Sequence, residues 1–337
     1  MDLDAVFIGT SGSIPTARRA APGLLLRRGG DRLLIDCGEG TQRQLQRSVV
    51  GLIDLEDILI THFHADHFLG LPGMLKTFAL RGRDIPLTVY GPTGLQHLFD
   101  SLHRIFGKLT YELSLVEVGD GYMIERDGYC VIAFDVDHGT KAVGYALVEQ
   151  ERPGRFDPDV ARQLGVAEGP DWGALQRGDD VTGAGGAVVT PAMVLGPARA
   201  GRTIVATGDT RPARRVLDLA NTADLLIHDG GFGQDEHDRA LETGHSTAEE
   251  AAEIARIAGA QMLALTHISP RYFGGELEQE AQAVFANAVV PRDYDVIEVP
   301  LPERGVPRLI RGGASQGRPQ AAPQSEGELV ATASPDA

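Results

Sequence analysis

Short apolar runs rich in β-branched residues recur along the chain: Ala5 to Ile8, Leu24 to Leu26, Leu33 to Ile35, Ile58 to Ile60, Leu87 to Tyr90, Val131 to Phe134, Thr203 to Ala206, Leu225 to Ile227 and Met262 to Leu265. Stretches with helical periodicity separate them, and this alternation predicts an α/β layered fold. Thr41 with Gln44 three residues on, and Ser246 with Glu249, fit capping boxes and mark two helix starts. The second helix then presents Ala251, Ala252, Ile254, Ala255, Ile257 and Ala258 on one apolar side and is expected to stop at Gly259.

Two regions break this texture. From Gly165 to Gly201 there are nine Gly and three Pro in 37 residues, with little amphipathic periodicity, as in an inserted, protruding arm. After Gly312 the chain has no aromatic residue and only Leu329 and Val330 as large apolar side chains, so 312–337 is expected to be a disordered C-terminal tail.

Composition narrows the class. The chain has 337 residues, 42% of them hydrophobic, which allows one large or two modest domains with a sizeable core. Collagen, coiled coil and wholesale disorder are excluded, because Gly and Pro follow no repeat, heptads are not sustained and apolar content is high. No apolar run is long enough for a membrane span, and the acidic start Met1-Asp2-Leu3-Asp4 is unlike a signal peptide, so a cytoplasmic protein is expected. Cys37 and Cys130 lie in apolar segments and read as inert core residues.

A net charge of −16 argues against nonspecific affinity for nucleic acid. The distribution is uneven, however. Residues 1–50 hold Arg18, Arg19, Arg27, Arg28, Arg32, Arg43 and Arg47 against five acids. These arginines are either solvated surface or a local basic face.

The chemistry is concentrated after the run Ile58 to Ile60. Thr61-His62-Phe63-His64-Ala65-Asp66-His67 packs four ligand-type side chains into six residues, in a chain with only ten His. Imidazole with carboxylate suits zinc, and a ligand string on a strand-to-helix loop can aim several donors at one point or divide them between two adjacent ions. Three more apolar runs end abruptly in ligand-type residues: one before Asp135-Val136-Asp137-His138, one before Thr207-Gly208-Asp209, and one before Thr266-His267. Ligands gather at the carboxyl ends of strands in α/β sheets, so these positions are expected to converge. His138 or His267 alone would read as a core or surface histidine; beside the His-x-His-x-Asp-His string they read as ligands. Asp135 and Asp137 flank His138 and are either partners fixing its tautomer or solvated surface.

The ordered set of His-x-His-x-Asp-His, His138, Asp209 and His267 resembles the metallo-β-lactamase superfamily. Further stretches are similar to its ribonuclease Z family: Phe7-Ile8-Gly9-Thr10, Leu34-Ile35-Asp36-Cys37-Gly38-Glu39-Gly40-Thr41-Gln42, Gly208-Asp209-Thr210-Arg211-Pro212, Gly244-His245-Ser246-Thr247, and Leu265-Thr266-His267-Ile268-Ser269-Pro270-Arg271-Tyr272. The resemblance covers roughly residues 3–300. It implies a four-layer αββα sandwich, here a nuclease domain over 1–311 with an exosite-like arm inserted at about 149–201.

The same resemblance implies two Zn2+ per subunit, with Mn2+ or Fe2+ as alternative occupants of the same donors. His62, His64 and His138 would hold one ion, Asp66, His67 and His267 the other, and Asp209 would bridge them. The implied activity is endonucleolytic removal of 3′ trailers from precursor tRNA, leaving a tRNA 3′-hydroxyl and a trailer 5′-phosphate. A metal-bridging hydroxide would attack, with Asp66 as base or orienter and His245 as general acid. His245 also precedes a capped helix, whose positive end would lower its pKa, so it reads alternatively as a helix-entry residue.

Arg18 and Arg19 follow Pro15-Thr16-Ala17, where many members carry Pro-x-Lys-x-Arg-Asn in a loop that contacts the tRNA end. Here Ala17 replaces Lys and Ala20 replaces Asn. Asp229, after His228, stands where a Glu is common, and its shorter reach is expected to loosen a contact. Glu168-Gly169-Pro170 resembles the arm that grips the tRNA elbow, often on the partner subunit's substrate, which implies a homodimer. Residues 149–180 carry four Arg and eight acids, which weakens that grip and leaves a solvated loop as the other reading. The competing function is a small-molecule hydrolase on the same scaffold: a phosphodiesterase, arylsulfatase, lactonase or thioesterase.

Overall fold

Adjacent residues of one strand pack into different cores, and this sorting builds the layers. In the computed structural model, which describes residues 1–52 and 55–312, Ala5 and Phe7 lie in a central cluster with Leu24, Leu26, Tyr145, Leu147, Ile204 and Ile227. Their neighbours Val6 and Ile8 pack instead with Leu25, Leu34 and Ile58 against Leu45, Met74, Phe78 and Phe99 of flanking helices. On the other side Val205, Leu226 and Leu263 meet Val216, Ala251, Ile254 and Ala255. Helices therefore cover the outer face of each of two sheets, and strands buried on both faces read as continuous apolar runs. The tail expected beyond Gly312 lies outside the described residues.

The first sheet has eight strands in the order Arg308–Ile310, Val296–Glu298, Leu3–Gly9, Gly23–Arg28, Asp31–Ile35, Asp57–Leu59, Leu87–Gly91, Leu113–Glu117. The second has seven: Ala288–Val289, Met262–Thr266, Leu225–Asp229, Thr203–Ala206, Val143–Glu149, Tyr129–Asp135, Met123–Arg126. The last four strands of the first sheet run parallel, as do the first four of the second. Each sheet thus gathers several carboxyl ends at one edge, where α/β folds place their ligands.

Both helix starts differ from the expected caps. Thr41–Arg47 begins behind Gly40, which has φ 84° and caps it without a side chain. Gln44 is used elsewhere, donating to the Ile8 carbonyl and to Asp293. The second capping box is formed by Thr247 and Glu250, one residue later than expected, because the Ser246 hydroxyl donates to the Thr210 carbonyl at 2.7 Å. That helix, Ala248–Ala258, ends at Gly259 in the left-handed region. Cys37 is buried as expected, but Cys130 is half-buried, because its strand lies next to the sheet edge.

Residues 151–201 form short helices, Pro158–Gln163, Pro170–Arg177 and Pro191–Val194, and a two-stranded sheet of Val181–Thr182 and Val188–Val189. Their core is separate and small: Ala161, Val166, Leu175, Val189 and Val194, with Trp172 packed against it. At its base Arg152 and Arg199 both pair with Glu303.

A charged cluster ties the two sheets together. Arg202 is only 2% exposed, and its guanidinium bonds both oxygens of Glu149, the Val299 carbonyl and the Met1 carbonyl. Arg28 of the first sheet reaches the same carboxylate at 2.8 Å. Burial opposes the charge on Glu149, but Arg202 and Arg28 outweigh it and hold the carboxyl at about 2. Glu149→Ala would leave Arg202 buried and unpaired, so it is expected to cost about 3 to 5 kcal/mol of unfolding free energy. Urea titration measures this, and a loss below about 1 kcal/mol, the worth of an exposed pair, would show that solvent reaches the cluster.

Candidate metal centre

The ligand-type residues sit where strands end. His62 and His64 follow Asp57–Leu59, and the next turn of helix, Ala65–Phe68, carries Asp66 and His67. His138 follows Tyr129–Asp135, Asp209 follows Thr203–Ala206, and His267 follows Met262–Thr266. Gly208 lets two of these loops approach: its φ is 64°, and a Cβ there would stand 2.9 Å from Cβ of Thr61. His267 itself holds φ 60°. A histidine in that left-handed region is strained by about 1 to 3 kcal/mol, which the surrounding contacts must sustain.

All seven residues converge. His62, His64 and His138 bring one donor atom each within 4.8 Å of one another, and so do Asp66, His67 and His267. Between the groups stands Asp209, whose Oδ2 is 3.8 Å from Nε2 of both His62 and His138, 3.3 Å from His67 Nε2 and 3.2 Å from His267 Nε2. Asp66 Oδ2 lies 3.4 Å from Nε2 of both His67 and His267. Asp209 and Asp66 are both held well below the usual carboxylate range, since the imidazoles around them outweigh their burial.

Hydrogen bonds fix which nitrogen faces inward in His62, His67 and His138. His67 Nδ1 is 2.7 Å from Asp36 Oδ2, and His138 Nδ1 is 2.7 Å from the Gly244 carbonyl. Both acceptors take an N–H, so Nε2 is left with its lone pair. The Thr61 hydroxyl donates to Asp36, and its oxygen can then accept from His62 Nδ1 at 3.1 Å. The inward atoms His62 Nε2, His67 Nε2 and Asp209 Oδ1 are buried without a hydrogen-bond partner. Buried lone pairs aimed at a common centre are costly unless a cation receives them. The donor set therefore fits divalent metal.

His245 lies beside this cluster, its ring 4.9 Å from the rings of both His138 and His267. Its Nδ1 is 2.7 Å from Asp229 Oδ2, so the shorter carboxylate at this position makes a close contact rather than a loosened one. Burial opposes protonation, but Asp229 outweighs it and raises His245 to about 9, overriding the lowering expected from the helix that follows. Asp137 does not serve His138: it pairs with Arg211 at 3.0 Å, and neither Asp135 nor Asp137 bonds the ring.

Arg18 is exposed, whereas Arg19 turns inward and donates to the Thr10 hydroxyl and the Pro291 carbonyl. Gly169 and Pro170 are exposed at the start of Pro170–Arg177. Asp36, which no motif chemistry had singled out, is the main addition: buried, at φ 60°, it orders both Thr61 and His67. Its sequence signal was an acid closing the apolar run Leu33 to Ile35.

Comparison with known proteins first defines the class. The family model described as "Beta-lactamase superfamily domain" matches residues 31–268, which include every residue of the cluster. "Ribonuclease Z" of Natronomonas pharaonis is 46% identical over 90% of this chain and 100% of its own length, and that of Myxococcus xanthus is 48% identical over 89% and 98%. Among solved structures, human tRNase Z, short form, matches with a TM-score of 0.65 and 27% identity over 88% of this chain and 99% of that one. The chain belongs to the ribonuclease Z family.

Removing the orienting carboxylate is expected to weaken metal binding without unfolding the protein. Asp36→Ala should lower divalent-metal affinity by about 10- to 100-fold, read by competition with a chromophoric chelator. Unchanged affinity would show that packing alone orients His67.

Proposed function

We propose that this enzyme is a zinc-dependent endoribonuclease that removes 3′ trailers from precursor tRNA. The observation that carries the reading is that two donor triads flank Asp209, two members of each standing within 3.8 Å of one of its oxygens, in a chain whose relatives at 46% and 48% identity are ribonucleases Z. The donors suit two Zn2+ per subunit, one held by His62, His64 and His138, the other by Asp66, His67 and His267, with Asp209 between them. Such a pair, when bound, supplies an activated water and neutralises charge on the phosphate during in-line displacement.

The protein's own groups do the rest. Asp66, at the edge of the cluster with 13% of its side chain exposed, orients the attacking water or accepts its proton. Asp229 fixes His245 by its Nδ1, so the opposite ring nitrogen carries the proton delivered to the departing 3′ oxygen of the tRNA. Attack by water rather than by the ribose 2′-hydroxyl leaves a tRNA 3′-hydroxyl and a trailer 5′-phosphate.

We assign residues 1–311 to one nuclease domain carrying an arm at about 149–201. The separate core of 151–201 supports an independently packed arm. Gly169 and Pro170 would meet the tRNA elbow there, while Arg18 and Arg19 border its 3′ end. The arm's acidity makes this grip depend on backbone and shape more than on phosphate pairing. A cytoplasmic homodimer, each arm serving the partner's substrate, fits this arrangement, and no helix among the described residues is long and apolar enough to cross a membrane. The acidic arm is also what a small-molecule hydrolase would tolerate; arm deletion separates the readings, because only the nuclease loses its physiological substrate.

Zinc-loaded protein is expected to cut a precursor tRNA near the discriminator, leaving a 3′-hydroxyl. Asp66→Ala should abolish cutting. His245→Ala should lower kcat by about 10²- to 10⁴-fold, the usual worth of a general acid, with RNA binding retained. End mapping and metal quantification check these outcomes; cyclic phosphate ends would overturn the water mechanism, and no cutting by metal-replete protein would favour the small-molecule hydrolase.

A further inference from the structure

The arm of residues 151–201 grows out of the second sheet. It is inserted between the paired antiparallel strands Val143–Glu149 and Thr203–Ala206, and its two legs prolong that ladder. Glu149 N–H donates to the Arg202 carbonyl, and Arg152 and Arg199 exchange backbone bonds of 2.7 and 2.9 Å. Further along, Gly154 and Gly196 pass so closely that a Cβ on Gly154 would collide with the Gly196 carbonyl. A two-stranded ribbon is marginally stable by itself, so its legs alone do not hold the arm at a fixed angle. The apolar core beyond them, which includes Phe156 and Val194, is built wholly from residues of the arm and gives it rigidity of its own without reaching the body.

The side-chain links from the arm to the body converge on one carboxylate. Among the described residues, every ion pair and side-chain hydrogen bond that leaves 151–201 ends on Glu303. Arg152 donates to both of its oxygens, at 2.8 and 2.9 Å, and Arg199 donates to Oε1 at 3.1 Å, so one acid engages both legs at once. Glu303 stands on the short turn Pro302–Arg304, which joins Val296–Glu298 to Arg308–Ile310, two paired strands of the first sheet. An arm that springs from one sheet is thus tied to the other. Bidentate geometry and a shared carboxylate are the conditions under which a surface ion pair keeps its worth, and the bonds from Arg152 hold the Glu303 carboxyl at about 2, so it stays charged. Within the arm, Arg162 and Arg177 already pair with Asp159 and Asp179. Shape rather than free charge is left to recognise a folded substrate, and shape recognition depends on the angle at which the arm is held.

Resting on the tRNA-processing reading, we infer that Glu303 is a positioning residue for the substrate: by pinning both legs of the arm to the first sheet it fixes the span between the arm and the metal centre, and so selects RNA whose folded body lies at a set distance from the bond to be cut. Glu303 itself acts only through Arg152 and Arg199. Released from it, the arm keeps its own core but samples angles at which the RNA body and the scissile bond are not engaged together. Loss of the pin therefore shows as lost affinity for folded RNA, while bond breaking in the seated substrate is unchanged.

The test uses the zinc-loaded full chain with precursor tRNA and, as a substrate too small to meet the arm, bis(p-nitrophenyl) phosphate. If the unpinned arm holds the competent angle about a tenth of the time, Glu303→Ala raises KM for precursor tRNA about 10-fold, with kcat within about twofold and turnover of the small diester unchanged. Glu303→Gln, which keeps the shape and removes the charge, should move KM in the same direction. Adding Arg152→Ala to Glu303→Ala should change little further, because both remove the same interaction. Trp172 is the chain's single tryptophan, and its ring N–H donates to the Val166 carbonyl inside the arm, so its fluorescence anisotropy decay reports arm motion; the variants are expected to gain a nanosecond component. An unchanged KM or an unchanged Trp172 decay in the variants, while wild type still cleaves, would overturn this inference and leave the nuclease reading standing. An equal loss of small-diester turnover would overturn it too, by making Glu303 a support of the metal centre. Absence of precursor cleavage by wild type would overturn the nuclease reading and, with it, the role of Glu303.

Discussion

One carboxylate oxygen organises the molecule. Asp209 is 3% exposed, and four imidazoles from three chain-distant segments stand within 3.8 Å of its Oδ2. Removing that many polar atoms from water is tolerable only if each finds a partner. The outer nitrogens of His67 and His138 do so on Asp36 and the Gly244 carbonyl, and that of His62 on Thr61. The inner atoms are left to a cation. Left-handed backbone at Asp36, Gly208 and His267 follows from the same demand, because strands of two sheets must turn sharply to aim at one point. The three apolar layers behind them supply the rigidity that keeps those strained turns in place.

What could be read from the chain was whatever is local. The ligand string His62 to His67 and the abrupt ends of the runs before His138, Asp209 and His267 are contiguous signals, and the structure brings those residues together. The helix Ala248–Ala258 and its Gly259 stop follow from spacing alone. Tertiary competition hid the rest. Thr41 and Gln44 resemble a capping box, but Gln44 spans to Ile8 and Asp293, contacts far apart in sequence. Ser246 looks like a cap and instead reaches Thr210. The strand Val143–Glu149 was missed because Gly144 interrupts its apolar run; that glycine lies against Phe134, where a Cβ would come within 2.4 Å of the ring. The Gly244 carbonyl that orients His138 has no side-chain signal, whereas Asp137, adjacent in sequence, turns to Arg211.

Net charge hides the distribution that matters. The arginines of the first fifty residues do not act as one face: Arg27 and Arg28 pair with Asp4 and Glu149, and Arg19 is enclosed by Thr10 and Pro291. Arg18 remains exposed and lines a cavity together with Arg292, from the opposite end of the chain. An acidic protein can thus concentrate positive potential at one concavity while its bulk repels nonspecific nucleic acid.

The pairing of His245 with Asp229 shows how a shorter acid can serve where a longer one is expected. A carboxylate with one methylene fewer reaches the ring only if the backbone comes closer. His245 N–H donates to the Ala240 carbonyl at 2.8 Å, and the neighbouring Ser246 hydroxyl donates to Thr210. Thr210 N–H in turn lies 3.2 Å from Asp229 Oδ2, the same oxygen that meets His245 at 2.7 Å. These bonds draw the histidine loop and the loop after Asp209 onto the end of the strand Leu225–Asp229, so the compact carboxylate spans the gap. The outcome is an imidazole held beside the His/Asp cluster by a network that also positions Asp209's own loop. One connected set of hydrogen bonds therefore orients both His245 and the loop that carries Asp209.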